Sequence, residues 1–446
     1  MTKSKKTTTN EDVPTANLRR TLKTAGVFGK IFLKGLEERL GKEPDHQKLA
    51  EALTKDLGAF KGPLMKIGQI LATVPGMLPP AYAEAFLTLS NQAPPMGPLF
   101  MKRRMAAELG ADWQAKFKTF DPKPTFAASL GQIHKAQTLK GEAVAVKLQY
   151  PHMEEVIATD LRHLAFLCRL YERFGKALFT QNLQAELKDR LYEELDYAQE
   201  ARHTTWFQAA LEDEEGVLVP SVYPSLSTKR LLTLSWLEGV PLLQFQKASQ
   251  PVREKLGRRL FRAWWRPFYQ LGLLHGDPHL GNYTVCHKTH AINLLDFGCV
   301  RVFAPRVIEG ILLLFKGLQQ KDDALMHKAY TKIGFQKLSP ALMKALNLWA
   351  GFLYAPLLDD TKRPLMHDIS GDEGRAVALE VHQILRAEGG VMPPREFVFL
   401  DRAAVGIGSA LTRLGVQLNW HRLFLDLTQG FHAKTMQEKQ KQLLNL

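Results

Sequence analysis

Two short apolar runs, each ending in acid or amide side chains, constrain this chain more than any other feature. The first is Leu273-Leu-His-Gly-Asp-Pro-His-Leu-Gly-Asn282 and the second is Leu294-Leu-Asp-Phe-Gly298. Short apolar stretches that stop on polar residues are what strands look like when they deliver side chains to a cleft. The residues delivered here are Asp277, Asn282 and Asp296. That set suits phosphoryl transfer, in which one carboxylate orients the nucleophile while a carboxylate and an amide oxygen hold divalent cations against a triphosphate. Asp277 fits the first role, Asn282 and Asp296 the second. Two plainer accounts compete: a simple turn, or a hydrolase metal site built on His275-x-Asp277-x-His279. Asp-Phe-Gly alone is common by chance. The two motifs in this order are much rarer.

The step from Asp277 to Asn282 equals the Asp-to-Asn step of a protein-kinase catalytic loop, and Asp296-Phe-Gly298 follows as the metal-binding triplet does there. Upstream, Val144-Ala-Val-Lys-Leu-Gln-Tyr150 carries a lysine on an apolar strand. Lysine is seldom placed there without a target. Lys147 is therefore expected on the phosphates; a snorkelling edge-strand lysine is the alternative. Leu187, Leu191, Leu195 and Ala198 recur at helical spacing and predict an amphipathic helix crowded with Glu193, Glu194, Asp196 and Glu200. Glu200 is the expected partner of Lys147. Glu194 and Asp196 form a second functional pair, and Glu193 belongs to a solvated face. Over the phosphates, the loop at Thr125 to Ala136 offers Ala127, Ala128 and Ser129 where kinases have several glycines. Alanine restricts φ, so a stiffer loop follows, which argues against routine protein phosphorylation.

These pieces resemble the UbiB/AarF family of atypical protein-kinase-like proteins, tied to coenzyme Q (ubiquinone) biosynthesis. The matching residues are Lys66-Ile-Gly-Gln69, Phe126-Ala-Ala-Ser129, Val144-Ala-Val-Lys147, Glu194-Leu-Asp196 with Glu200, His275-Gly-Asp277-Pro-His-Leu-Gly-Asn282 and Asp296-Phe-Gly298. The resemblance implies an α+β, bilobal protein-kinase-like fold with an N-terminal helical extension packed over the cleft. It implies ATP or ADP with Mg²⁺ as cofactors, and ATPase-type activity rather than phosphorylation of proteins. Residue by residue, Lys66 and Gln69 would form a regulatory lid facing Glu194 and Asp196, and Lys147 would meet phosphates and pair with Glu200. Asn282 and Asp296 would bind the metal, and Asp277 would sit near the γ-phosphate. One position departs: Phe126 stands where the family has the first of three alanines. That puts nucleotide preference in question. Lys66 and Gln69 also share a face if Leu64, Ile67, Ile70 and Leu71 mark a helix.

At 446 residues the chain exceeds one kinase-like core. The expected division is a disordered polar tail over 1–16, a helical extension over 17–115, an N-lobe over 116–239 and a mainly helical C-lobe over 240–446. Strands are expected near 131–138, 143–149 and 229–236, the last leading to a hinge where the backbone of Trp236, Leu237 and Glu238 would meet adenine. A long helix, Glu254 to Leu273, leads to the catalytic loop. Three unpaired cysteines, Cys168, Cys286 and Cys299, indicate a reducing compartment and no zinc site. Cys299 reads as a small packing residue. No run reaches a membrane-spanning length; Ile311–Phe315 and Trp349–Leu358 are the strongest candidates and are too short.

The net charge of +14 raises the question of anionic partners. Asn17 to Gly35 holds Arg19, Arg20, Lys23, Lys30 and Lys34 with no acid. Such a helix suits an anionic membrane surface, or equally packs on the kinase core. No recognisable nucleic-acid module is present, so nucleic acid is not an expected partner. The expected activity is an ATP/Mg²⁺-dependent atypical kinase or ATPase supporting ubiquinone biosynthesis at a membrane surface, acting on or extracting a lipid or quinone intermediate alongside ubiquinone-biosynthesis enzymes. The expected location is cytoplasmic, peripheral at the inner face of a bacterial membrane. The alternatives are a small-molecule kinase of the aminoglycoside/choline kinase type and a nucleotide-gated lipid-binding scaffold.

Overall fold

The computed structural model describes residues 96–446, apart from 128–129, 163–164, 166–180, 367–371, 389–393 and 446. The predicted tail, the basic helix and the Lys66–Gln69 lid lie outside the described residues, as do Ala128, Ser129 and Cys168.

Helix α1 (Pro98–Leu109) opens on a proline, whose missing N–H costs nothing in a first turn. It buries Met101 and Met105 in the core of the small lobe, so this end of the predicted extension is part of that lobe. The small lobe's sheet uses β1 (Phe117–Phe120), β2 (Phe126–Ala127), β3 (Gly131–Thr138) and β4 (Ala143–Gln149). After β5 (Val217–Leu218), which joins the large lobe, β6 (Leu231–Ser235) completes it. The order is β1-β3-β4-β6, with β2 paired to β3. Along β4 the two-residue period sends Val144, Val146 and Leu148 into the core. The same period turns Lys147 to the other face, toward the cleft. Gly131 is required where it stands: a Cβ there would lie 2.3 Å from the Leu148 carbonyl oxygen.

The acidic helix is two helices, α2 (Gln181–Glu193) and α3 (Tyr197–Ala210), rather than one through Ala198. Asp196 breaks it by capping α3, accepting from the backbone N–H groups of Ala198 and Gln199. Leu187, Leu191 and Leu195 still share one core, with Tyr150 and Ile157. Glu193, expected to be merely solvated, pairs with Arg301 at 2.8 Å.

Beyond the hinge, β7 (Val240–Pro241) leads to α4 (Gln250–Leu271), which ends at left-handed Gly272, φ 68°. Strands β8 (Leu273–His275) and β11 (Val300–Val302) pair antiparallel, while β9 (Tyr283–Val285) and β10 (Ile292–Leu294) form the order β5-β10-β9-β7. Helices α5 (Pro305–Gln320), α6 (Asp323–Ile333), α7 (Pro340–Leu358), α8 (Asp372–Ala387), α9 (Arg395–Arg413), α10 (Trp420–Thr428) and α11 (Ala433–Leu444) complete the large lobe. The apolar run at Trp349–Leu358 belongs to the longer α7. At 19 residues and a mean hydropathy of 1.3, α7 is long and apolar enough to cross a membrane by length and composition alone. It packs against α5, α8 and α10.

Candidate active site

Strand β4, helix α3 and the turn after β10 converge on one ammonium group. Lys147 Nζ donates to both Glu200 oxygens at 2.7 and 2.9 Å, and to Asp296 Oδ2 at 3.0 Å. The Lys147 side chain is 15% exposed and that of Glu200 5%, whereas Asp296 is 41% exposed and open to the cleft. Burial alone would lower the lysine pKa, but Asp296 and Glu200 outweigh it and hold it well above the ordinary value. Burial pushes Glu200 up, Lys147 pulls it back and Asp296 pushes it up again. The Tyr197 ring lies 5.0 Å beneath the ammonium.

The loop after β8 carries Asp277. Asn282 Nδ2 donates to Asp277 Oδ2 at 2.9 Å and to its carbonyl at 3.0 Å. With its donors on Asp277, the amide presents Oδ1 on the opposite side, as a metal ligand requires. Asp296 Oδ1 accepts from the Gly298 N–H at 3.0 Å. His275 ties the two loops together. Its Nε2–H donates to the Asp296 carbonyl at 2.6 Å, and Nδ1 accepts from the Asp277 N–H at 3.3 Å. Burial lowers its pKa, which keeps that neutral tautomer. His279 Nδ1 accepts from the Gly281 N–H at 3.1 Å. Both ring nitrogens of His275 are thus taken by backbone groups, so the hydrolase-metal alternative lacks its first ligand.

Among the described residues no three His, Cys, Asp or Glu side chains cluster as a metal cage. Asn282 and Asp296 fit a Mg²⁺ that takes its remaining ligands from phosphate and water. The Asp296-Phe-Gly298 turn is anchored from behind. Phe297 is fully buried against His275 and Phe207, and its carbonyl accepts from His203 Nδ1 at 3.0 Å.

Motif spacing did not reveal Arg402 of α9. Its Nη2 donates to Asp277 Oδ1 at 2.6 Å, across 125 residues of sequence. Glu194 lines the same crevice as Asp277 and Arg402, with Arg190 and Gly298. Asp196 serves as the α3 cap. At the hinge, Trp236 N–H donates to the Ala143 carbonyl, and the Glu238 carbonyl accepts from Asn293 Nδ2. Leu237 makes neither kind of contact among the described residues. Ala127 ends β2 at the cleft edge. Phe126 is 57% exposed and stacks on Trp236, centroids 6.3 Å apart.

A model of the ABC1 atypical kinase-like domain matches residues 88–330, more than half of the chain. The chain is 28% identical to "Atypical kinase COQ8, mitochondrial" of Saccharomyces cerevisiae, over 95% of this chain and 87% of that protein. It is 30% identical to "Atypical kinase COQ8B, mitochondrial" of Rattus norvegicus over 63% of this chain, and spans 53% of that relative. Among solved structures, the complex of Rv3197 with erythromycin from Mycobacterium tuberculosis is similar in fold. Its TM-score is 0.60 at 24% identity, over 91% of this chain and 98% of that one. The domain match runs through the strand of Lys147, both cleft loops and the hinge, and on that extent the chain belongs to the ABC1 atypical kinase-like family.

Proposed function

We propose that the chain is an ATP- and Mg²⁺-dependent ATPase of the atypical-kinase type that supports coenzyme Q biosynthesis at a membrane surface. In this proposal it acts on or extracts lipid intermediates rather than phosphorylating proteins. The observation that carries it is the Lys147–Glu200–Asp296 cluster facing the Asp277–Asn282 loop. Lys147, positioned by Glu200, contacts the phosphates. Asn282 Oδ1 and Asp296 would hold Mg²⁺, which when bound neutralises triphosphate charge. Asp277 orients the attacking oxygen. Its side chain is 10% exposed and clamped by Arg402, which favours a small nucleophile such as water over a polypeptide hydroxyl. The hinge backbone at Trp236–Glu238 would receive the adenine, and the loop of Ala127, Ala128 and Ser129 would cover the phosphates. Lys66 and Gln69 are proposed as the lid, with Glu194 as their counterpart. The coenzyme Q connection is supported by the names of the yeast and rat relatives. Membrane placement, at an inner face, is supported by the basic segment from Asn17 to Gly35.

The test is Asp296→Asn. Mg²⁺-ADP should raise the melting temperature of the wild type and leave the variant unmoved. An unchanged shift in the variant would refute the metal assignment. ATP turnover with and without cardiolipin-containing liposomes, repeated for Lys66→Ala, tests the lid and the membrane surface together.

A further inference from the structure

The ring of Phe399, on α9, is buried and receives one guanidinium from each lobe. Arg190 Cζ of α2 lies 3.7 Å from the ring centroid, and Arg301 Cζ of β11 lies 4.4 Å from it. Helix α2 packs on the small lobe through Leu187 and Leu191, which share a core with Tyr150 just after β4. Strand β11 and α9 belong to the large lobe. Arg190 is itself buried, so its charge is met by protein groups and not by water. An aromatic face is electron-rich and attracts a cation, the more strongly where water is excluded. Glu193, three residues after Arg190 on the same helix, pairs with Arg301 at 2.8 Å and adds a second contact across the lobes. Two like charges converge on one ring here. Apolar packing alone would not select that: a leucine could fill much of the volume but would attract neither guanidinium.

The same ring rests on the catalytic loop. A Cβ built on Gly276 would lie 3.1 Å from Phe399 Cδ1, and the Gly276 N–H donates to the Cys299 carbonyl at 2.7 Å. Gly276 immediately precedes Asp277. Arg402 follows Phe399 by three residues, so the two share a face of α9. Arg402 holds Asp277 Oδ1 at 2.6 Å, and Arg190 and Glu194 line the same crevice. One turn of α9 thus meets α2, the strand after the Asp296-Phe-Gly298 turn, and the catalytic loop. Contacts packed this closely pass a displacement on instead of absorbing it.

We propose that Phe399 is a positioning residue: its cation–π contacts with Arg190 and Arg301 hold α9 in register between the lobes and thereby hold Arg402 on Asp277. The effect on turnover rests on the nucleotide-site reading above; the role of the ring in fastening the lobes does not.

The test changes the electron density of the ring while nearly preserving its shape. Singly, doubly and triply fluorinated phenylalanines replace Phe399 in the full chain, each fluorine drawing density off the ring face. ATP turnover should fall stepwise along the series, to about a tenth for the triply fluorinated ring, as a misplaced catalytic group would give. The melting temperature should fall in the same order. The Mg²⁺-ADP thermal shift should persist, since Asn282 and Asp296 are untouched. A para-methylated phenylalanine at the same position, larger yet electron-rich, should keep turnover. Level turnover along the fluorinated series, or an equal loss with the methylated ring, overturns the electrostatic role and leaves Phe399 as packing. The route through Arg402 is tested by Phe399→Leu. It should lower turnover about tenfold in the wild type but less than about twofold in Arg402→Met, where the clamp is already gone. A full tenfold loss in both backgrounds overturns that route. A wild type that neither binds Mg²⁺-ADP nor turns over ATP would refute the nucleotide site; the order of melting temperatures would still test the ring, and a flat order would overturn it.

Discussion

Replacing Lys147 by methionine removes the only cation bonded to Glu200 among the described residues and leaves packing volume nearly intact. Glu200 is 4% exposed. Stripping one partner from a buried ion pair costs about 3–5 kcal/mol, because the remaining charge is neither solvated nor compensated. At about 2–4 °C per kcal/mol for a domain of 150–250 residues, the melting temperature should fall by roughly 10 °C. The penalty belongs to the orphaned charge and not to the missing contact. Lys147→Met combined with Glu200→Gln should therefore recover about half of the loss or more. The pH dependence supplies a second check. Burial already holds Glu200 above its ordinary value, at about 7, with Lys147 pulling it down; removing the lysine raises it further. A carboxyl with a raised native pKa contributes stability below its unfolded value and loses it as pH rises through the folded one. The deficit of Lys147→Met should accordingly grow as pH rises above about 7, where wild-type Glu200 has ionised and the variant's has not, and that of the double variant, which lacks the carboxyl, should stay flat over the same interval. Melting curves of the three proteins across that range decide it. A double variant no more stable than Lys147→Met would show that the Tyr197 ring or the strand's packing, not charge compensation, explains the lysine.

His203 should make the protein acid-sensitive. Burial lowers its pKa to about 4, against the hydrogen bond to the Phe297 carbonyl. A depressed basic group contributes stability that is present above the unfolded value near 6.5 and lost as pH falls toward 4, here roughly 3 kcal/mol. Urea midpoints of His203→Asn should show a flatter profile over that interval. Arg402→Met should lower ATP turnover by about tenfold or more while leaving the Mg²⁺-ADP thermal shift in place, since it touches Asp277 and not Asn282 or Asp296. Arg402→Lys keeps the charge without the fork and should fall between; full turnover in Arg402→Met would dismiss the clamp.

What sequence disclosed and what it concealed divides along the range of the interaction. The strands at Gly131–Thr138, Ala143–Gln149 and Leu231–Ser235 were legible because alternation is local, and so was the turn chemistry around His275 and Asp296. The same alternation that buries Val146 and Leu148 obliges Lys147 to face the other way. The break at Asp196 was also legible in principle. Asp196 with Gln199 three residues on is a capping-box pattern, which helical spacing across Leu195 and Ala198 overrode. Phe126 could be flagged as odd, but its stacking on Trp236 depends on how β2 meets the hinge. Arg402 had no local signal at all. It sits on a helix whose apolar pattern says only that one side is core, 125 residues from the carboxylate it holds. The same is true of Asp401, which reads as an ordinary helix acid until tertiary packing surrounds it with Trp349 and other aromatic side chains. Polar groups whose partners arrive from distant helices are invisible to motif and period alike, yet they are the ones that join the catalytic loop to the rest of the large lobe. A family motif can therefore place the chemistry while leaving its supporting contacts unread, because those contacts exist only once the fold assembles them.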